Sequence, residues 1–344
     1  MRIPRPWRLL IAPAALLALT PGALAAALGG PAELPAPARG LNLLVVGTDS
    51  RAGITEAEKE RFRLGGKDCD CTDAVMLVHV SAGNDRVSVV ALPRDSLVEL
   101  PGPHTDRRTG AVHAAHLAKL NAAHPEGGSA LTIETVQAAT GLEVHRYLAV
   151  DFRRFMDAVD RVDGGVPICT DKPLKDSATG LDLAVGTTRV GGGGALQYVR
   201  SRKADGEMDF GRIRKQQKFI VNMLDRIRSA GILKDPAKLS ALASTLRGTA
   251  AAERGVTVTE LLALATRLKA VGPSRTEFAT VPVRGFNPVV EGVGSTVGWD
   301  AAGAAEVFAR LRADRPLPPG DAVAPSAVPV ADYEPARGSS LICP

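Results

Sequence analysis

Acidic and basic residues gather at the ends of apolar runs in this sequence, and two of these groupings can do chemistry. In the first, Asp49 lies in Gly47–Arg51 (GTDSR), directly after the apolar run Leu41–Gly47. Asp73 precedes the run Ala74–Val80, and Arg94 sits in Pro93–Asp95 (PRD), after Arg86–Leu92. Gly83-Asn84-Asp85 between the second and third runs is a hairpin signal, which brings Asp73 and Arg94 to one sheet edge. If the first run pairs antiparallel with the second, Asp49 arrives there too and the polar stretch Thr48–Thr72 loops out. α/β sheets place ligands in crevices at strand ends. Two carboxylates facing an anionic substrate suit Mg²⁺, with Mn²⁺ as a substitute, because the ion takes one or two protein oxygens and completes its octahedron with water and phosphate. Against this stands the ordinary use of aspartate in turns and caps.

The second grouping is YVRSR (198–202) followed by DFGRIRKQQ (209–217). Arg200 and Arg202 are two apart and reach one ligand if the backbone there is extended. Arg212 and Gln216 are four apart and share a helix face, and Asp209 is placed to cap that helix, whose first turn favours an anion. Guanidinium groups grip phosphate oxygens bidentately, as lysine cannot. A solvated basic face is the competing reading.

The six histidines suggest no ligand pair: His113 and His116 are three apart but lack a helix-borne Glu partner, which reads as surface placement. Four cysteines, Cys69, Cys71, Cys169 and Cys343, point to two disulfides in an exported chain. A Cys69–Cys71 bridge would close a cramped ring. The expectation is therefore that the Cys69/Cys71 loop is tied to Cys169 and to the C-terminal tail.

These residues need a scaffold, and the periodicities outline one. Strands are expected at Leu41–Gly47, Ala74–Val80, Arg86–Leu92, Val144–Val150, Val166–Thr170 and Phe278–Val283. Helices are expected near Glu56–Phe62, Leu131–Thr140 (stopped by Gly141), Phe152–Val162, Ile213–Ser229, Ala237–Arg247, Thr259–Ala270 and Ala301–Arg312. Gly191–Gly194 reads as a loop. Strands and helices mixed along the chain make an α/β fold with helices on both faces of a sheet.

The 344 residues are 45% hydrophobic and 23% charged, which excludes wholesale disorder and a polytopic membrane protein. Arg2, Arg5 and Arg8 are the only charges among the first thirty residues; without them 39 basic residues face 37 acidic ones. That near balance, with only 4% aromatics, argues against a nucleic-acid partner. The three arginines precede a charge-free run, Leu9–Gly30, so residues 1–30 are either a cleaved secretory signal or a single membrane anchor. Both place the rest outside the cytoplasm. Residues 31–39 form a Pro/Ala linker, 40–315 the catalytic domain, and 316–344 a Pro-rich tail.

Taken in order, NLLVVGTDSR, TDAVMLVHV, VALPRDSLVELPG, KLNAAHPEGG, YLAVDFRRFMDAVDRVDGGV, ALQYVRSR and DFGRIRKQQ resemble the LytR–CpsA–Psr family, in its actinobacterial form. The resemblance covers about Leu41 to Arg312. It implies an αβα sandwich with a mixed central sheet and a hydrophobic pocket for a polyprenyl chain. It implies a membrane-anchored phosphotransferase that moves a glycopolymer (a teichoic acid, capsular or other wall polysaccharide) from a polyprenyl-pyrophosphate carrier to an acceptor, usually peptidoglycan. Asp49 and Asp73 match the family's metal-binding carboxylates. Arg94, Arg200, Arg202 and Arg212 match its pyrophosphate-binding arginines, with Gln216 beside them and Lys119 as a further head-group contact; catalysis would fall to Arg94 and Asp49. The family's usual arginine in the RQQ run is Lys215 here, and that position is left out. A polyprenyl-pyrophosphate hydrolase, or a non-catalytic lipid- or glycan-binding envelope protein, would use the same site; a transcriptional attenuator fits poorly.

Overall fold

The computed structural model describes residues 37–66, 69–204, 206, 208–246, 252–323, 325 and 331–344. The expected signal or anchor and most of the Pro/Ala linker lie outside them. Among the described residues no helix is long and apolar enough to cross a membrane.

The strands are β1 (Leu41–Thr48), β2 (Thr72–Val80), β3 (Val87–Ala91), β4 (Leu97–Leu100), β5 (His104–Thr105), β6 (Val112–His113), β7 (His116–Lys119) and β8 (Arg146–Val150). They continue as β9 (Val166–Thr170), β10 (Leu174–Asp176), β11 (Leu181–Leu183), β12 (Gly186–Val190), β13 (Thr276–Thr280), β14 (Val283–Phe286), β15 (Val297–Trp299) and β16 (Ala336–Arg337). The helices are α1 (Glu56–Arg61), α2 (Ala123–Thr140), α3 (Phe152–Asp160), α4 (Gly192–Arg200) and α5 (Met208–Ser229). They are followed by α6 (Pro236–Ser244), α7 (Val258–Leu268), α8 (Ala301–Arg312) and α9 (Gly338–Leu341).

Six strands form the main sheet in the order β16-β13-β3-β2-β1-β8. β1–β2 and β2–β3 are antiparallel, while β1–β8 and β3–β13 are parallel, so the sheet is mixed. Alternation along each strand sends side chains to opposite faces. Leu44, Val46, Leu77 and Val90 pack with Val136 of α2 and Phe308 of α8. Met76, Val80 and Val89 pack with Phe210 and Val221 of α5 on the other side. Both faces are covered, which is why β1 reads as a continuous apolar run, and the result is the expected αβα sandwich. A separate apolar cluster joins α3, α4 and the antiparallel β9–β12 pair to Phe219 of α5.

Three expectations need correction, and the tail holds a strand that no pattern announced. Gly191–Gly194 is not a loop: Gly191 is the N-cap of α4 and the next three glycines are helical. They are small for packing, since a Cβ at Gly192 would meet the Met156 backbone and one at Gly193 the Phe62 ring. The expected strand Phe278–Val283 is two strands in different sheets, broken at Val281-Pro282. The Pro-rich tail adds the edge strand β16, with Ala336 opposite Phe278 and Arg337 paired to Glu277 at 2.7 Å. The disulfides join Cys69 to Cys71 and Cys169 to Cys343, so the expected ties from the Cys69/Cys71 loop are absent. The single intervening residue, Asp70, takes a left-handed conformation (φ 50°) that brings the Cys69 and Cys71 Cα atoms to 5.0 Å, within the ordinary range for a disulfide.

Candidate active site

The end of β1 is irregular in a way that serves the site. Gly47 pairs with Ala74 and Thr48 with Thr72, which leaves Asp73 as the extra residue of a bulge. Bulges of this kind re-aim a side chain, and this one carries a carboxylate. Asp49 follows, nearly buried; its N–H donates to the Cys71 carbonyl (3.1 Å), and its Oδ1 accepts the Cys71 N–H (3.0 Å). The Cys69–Cys71 disulfide loop therefore clamps Asp49 at the same sheet edge.

Arg94 comes from the turn after β3, where the Ser96 N–H donates to the Pro93 carbonyl (3.0 Å) and the Asn121 N–H to the Arg94 carbonyl (3.0 Å). Beyond the turn, β4 pairs with β7 so that Leu97 faces Lys119, and the Lys119 ammonium lies 3.2 Å from Asp95. Arg200 ends α4. Ser201 is extended, and Asp176 accepts the N–H groups of Arg202 (2.8 Å) and Lys203 (3.0 Å), fixing the direction of Arg202. α5 starts at Met208, five residues before the expected Ile213, so Asp209 lies in its first turn and does not cap it.

Three aspartates and three arginines interlock where these elements meet. Arg94 contacts Asp73 directly, and its Nε lies 3.6 Å from Asp95 and 3.7 Å from Asp209. Arg212 reaches Asp209 at 2.8 Å and Asp73 at 3.8 Å; Arg202 reaches Asp209 at 3.2 Å and Asp73 at 4.0 Å. Burial opposes the charge on Arg94, but Asp73, Asp209 and Asp95 outweigh it and raise its pKa above the ordinary arginine value. For Arg212, with 3% of its side chain exposed, burial wins and lowers the pKa to about 10, which leaves it charged at neutral pH. Burial also lowers Arg200, with Asp73 opposing. The guanidinium of Arg200 lies 5.1 Å from the Phe152 ring centroid.

These cations are not fully satisfied from within. Nη1 of Arg200 and Nε of Arg212 are buried donors without a hydrogen-bond partner. In the cleft these leave donor capacity for an incoming acceptor.

Beside the cluster lies an apolar cavity of about 250 Å³ between β1, β2, α3, α4 and α5, lined by residues including Val45, Met76, Phe155, Leu196, Phe219 and Met223. A polar cleft of about 300 Å³ adjoins it, lined by Asp176, Arg202, Lys203 and Arg212 among others. Asp73, Val199, Arg200 and Gln216 border both. Gln216 is held by donating its side-chain N–H to the Val199 carbonyl (3.2 Å). The apolar pocket thus opens past Arg200 onto a cleft that also holds Arg202 and Arg212.

Asp73, Arg94, Arg202 and Arg212 converge in one cluster; Lys119 joins it through Asp95, and Arg200 and Gln216 border it. Asp95 and Asp209 are the residues that sequence reasoning undervalued. Both were visible beside the arginines of PRD and DFGR, but their role as counter-ions depends on three elements meeting. The histidines need a larger correction. His113 and His116 are about one-third exposed, not plain surface residues, and they meet His104 around Glu126. Among the described residues this is the one group of three or more His, Cys, Asp or Glu side chains with metal-holding geometry.

Fold and site together describe an αβα sandwich with an anion cleft at the mouth of an apolar pocket, and the chain belongs to the LytR_cpsA_psr family, whose sequence profile matches residues 32–313. A relative named probable cell wall biosynthesis protein LcpB, from Corynebacterium glutamicum, is 34% identical over 284 residues, 82% of this chain and 63% of that protein. The Bacillus subtilis protein named polyisoprenyl-teichoic acid–peptidoglycan teichoic acid transferase TagV is 31% identical over 197 residues, 56% of this chain and 47% of that one. The chain thus spans between about half and two thirds of the lengths of these relatives. The crystal structure of B. subtilis TagV superposes with a TM-score of 0.60 at 24% identity, covering 80% of this chain and 98% of that one.

Proposed function

We propose that this protein is a phosphotransferase that moves a glycopolymer from a polyprenyl-pyrophosphate carrier to a cell-wall acceptor such as peptidoglycan, at the extracytoplasmic face of the membrane. One observation carries the reading: the apolar pocket and the arginine cleft share a border, and buried guanidinium donors there lack acceptors. An amphiphile with a long apolar chain and a diphosphate head matches both halves. The transferase name of TagV and the cell-wall name of LcpB agree with it. The basic flank and charge-free run at the N-terminus support the extracytoplasmic placement, with either a retained anchor or secretion after cleavage.

In this reading the apolar pocket takes the polyprenyl chain and the head group lies on Arg94, Arg200, Arg202 and Arg212. Lys119 and Gln216 flank it. An acceptor hydroxyl attacks the sugar-linked phosphorus; the new P–O bond forms as the bond to the bridging oxygen breaks, and polyprenyl phosphate leaves. The arginines hold non-bridging oxygens while charge builds on the departing phosphate, since phosphoryl transfer is catalysed mainly by positioning and charge stabilisation. Asp49, buried and clamped by Cys71, is the candidate to take the hydroxyl proton.

The carboxylates also suit a metal. Asp49, just past β1, and Asp73, on β2, are hard oxygen donors at one sheet edge, and the cations around Asp73 favour an ion that arrives with diphosphate over one held by protein alone. They would hold Mg²⁺, or Mn²⁺, which supplies charge neutralisation and orientation of the diphosphate. The test is to incubate purified protein with a polyprenyl-pyrophosphate-linked glycan, with and without a peptidoglycan fragment. Polymer joined to acceptor with release of lipid phosphate is expected. Equal release without acceptor would make the protein a hydrolase, and binding without turnover would make it a lipid-binding protein.

A further inference from the structure

The second polar cluster lies on the arm between β4 and α2, the arm that also carries Lys119 at the end of β7. His104 on β5 stands directly opposite His113 on β6. His116 comes from β7, and Glu126, nearly buried, from the first turn of α2. The three rings form a triangle with centroids 5.4 to 5.6 Å apart. Their nitrogens converge on one atom, Glu126 Oε2, at 3.4 Å from His104 Nε2, 3.4 Å from His116 Nε2 and 3.9 Å from His113 Nδ1.

A hydrogen bond from His104 Nε2 to Glu126 Oε2 (3.4 Å) would need that ring to carry a second proton, and it would account for one contact of the three. The Nδ1–H of His104 donates to the Pro101 carbonyl (2.7 Å), and that of His116 to the Ala114 carbonyl (3.1 Å). A carbonyl only accepts, so in the neutral rings both Nε2 atoms carry lone pairs and face a carboxylate oxygen, acceptor against acceptor. Protonating all three rings would instead crowd three cations around one carboxylate. A single cation among the four atoms removes the conflict. In a tetrahedron with bonds of about 2.0–2.1 Å the ligand atoms lie about 3.3 Å apart. The four atoms here lie within 4.8 Å of one another, and the Glu126 separations are already near that edge length. The Pro101 and Ala114 carbonyls are the outer partners that metal-binding histidines use to fix tautomer and ring orientation. The other Glu126 oxygen lies 3.9 Å from Arg108, which is engaged by Asp106 at 3.1 Å.

We propose that His104, His113, His116 and Glu126 form a closed, structural site for one divalent transition-metal ion of the zinc type. Imidazole donors select this class over Mg²⁺ and Ca²⁺, and four protein ligands leave no open position for substrate. The ion ties β5, β6 and β7 to the start of α2. It thereby braces the arm that presents Lys119, three residues beyond His116, to Asp95.

The test uses the full chain, stripped with chelator and titrated with Zn²⁺ alone, then with Co²⁺. One zinc per chain should survive desalting and raise the melting temperature, and the cobalt form should show tetrahedral d–d bands without thiolate charge transfer. His113→Asn and His116→Asn replace partly exposed rings, so the fold should persist by circular dichroism. Each should weaken zinc binding about 100-fold or more, beyond the 10–100-fold that losing an outer partner costs. His145→Asn, away from the arm, should bind as the parent does. Failure to retain zinc at micromolar free metal, parental affinity in both arm variants, or an octahedral cobalt spectrum would overturn the proposal.

Discussion

The strand-edge cleft and the histidine arm are both incomplete, with opposite signs. In the cleft, guanidinium N–H donors, five to a group, outnumber the carboxylate oxygens within their reach, and buried N–H donors on Arg200 and Arg212 go unanswered. In the arm, two rings whose Nδ1 atoms bond backbone carbonyls turn their other nitrogens, acceptors in the neutral rings, toward a carboxylate at 3.4 Å. A surplus of donors calls for an anion, and a surplus of acceptors calls for a cation. The kind of ligand a site lacks is therefore legible from which half of its hydrogen-bond inventory is left over.

The contrast breaks most easily at Asp73, where the cleft's cations meet. Asp73→Ala should lower transfer about 1000-fold, the loss of several kcal/mol that metal-assisted charge stabilisation provides, and Asp49→Ala should behave alike. Full turnover by either variant in excess chelator would show that the cleft works without these carboxylates.

The two disulfides then separate stability from site geometry. Cys169 and Cys343 are 174 residues apart, so Cys343→Ser should destabilise by about 2–4 kcal/mol in urea titrations. The Cys69→Ser/Cys71→Ser double variant opens a ring of three residues and should melt nearly as the parent does. It should nonetheless transfer more slowly, because Cys71 clamps Asp49. Parental rates from the double variant would remove the loop from the cleft.

Among the arginines, a lysine keeps the charge and removes the fork. Arg200→Lys, Arg202→Lys and Arg212→Lys should each lose one charge-assisted hydrogen bond of about 1.5–3 kcal/mol, or roughly 10–100-fold in turnover. The exposed Arg61→Lys should shift stability by less than about 0.5 kcal/mol and leave turnover unchanged. If Arg200→Lys and Arg202→Lys both kept parental rates, the anion assignment would fail.

The smallest effect is a baseline for the arm's histidines. His145 is held neutral by burial, which lowers its pKa, and its Nδ1 accepts the Asn42 N–H at 3.0 Å. As pH falls below about 6.5 the unfolded chain binds a proton that the folded chain refuses, so the stability this residue gives near neutrality is lost on acidification. His145→Asn keeps an acceptor for Asn42 without titrating, and should flatten the stability curve of metal-free protein between pH 7 and 5. An unchanged slope would show that the ring is not kept neutral.

Local pattern settled a great deal before any coordinates. The apolar runs that became β1, β2 and β3, the hairpin at Gly83–Asp85 and the helix Ala301–Arg312 each carry their signal within about ten residues. Gly141 ends α2 in a left-handed conformation (φ 64°), as its place after the helical run implied. The arginines were legible because they sit in short motifs beside these elements. Other features left no local trace. Gly191–Gly194 reads as a loop because nothing nearby reveals that α3 and Phe62 press against those positions. A two-residue edge strand such as β16 is too short to show a period.

The sequence by itself determined the mixed α/β class, the strand ends where charge would gather, and the family. All of these depend on residue type and on spacing within one element. Only the tertiary structure decided that Asp73 occupies a bulge, that Asp95 and Asp209 balance the arginines, that Cys69 bridges Cys71, and that three histidines meet Glu126. Each of those depends on where separate elements cross, or on one backbone angle at Asp70, and a pairwise distance across the fold is not written in the spacing of residues along the chain.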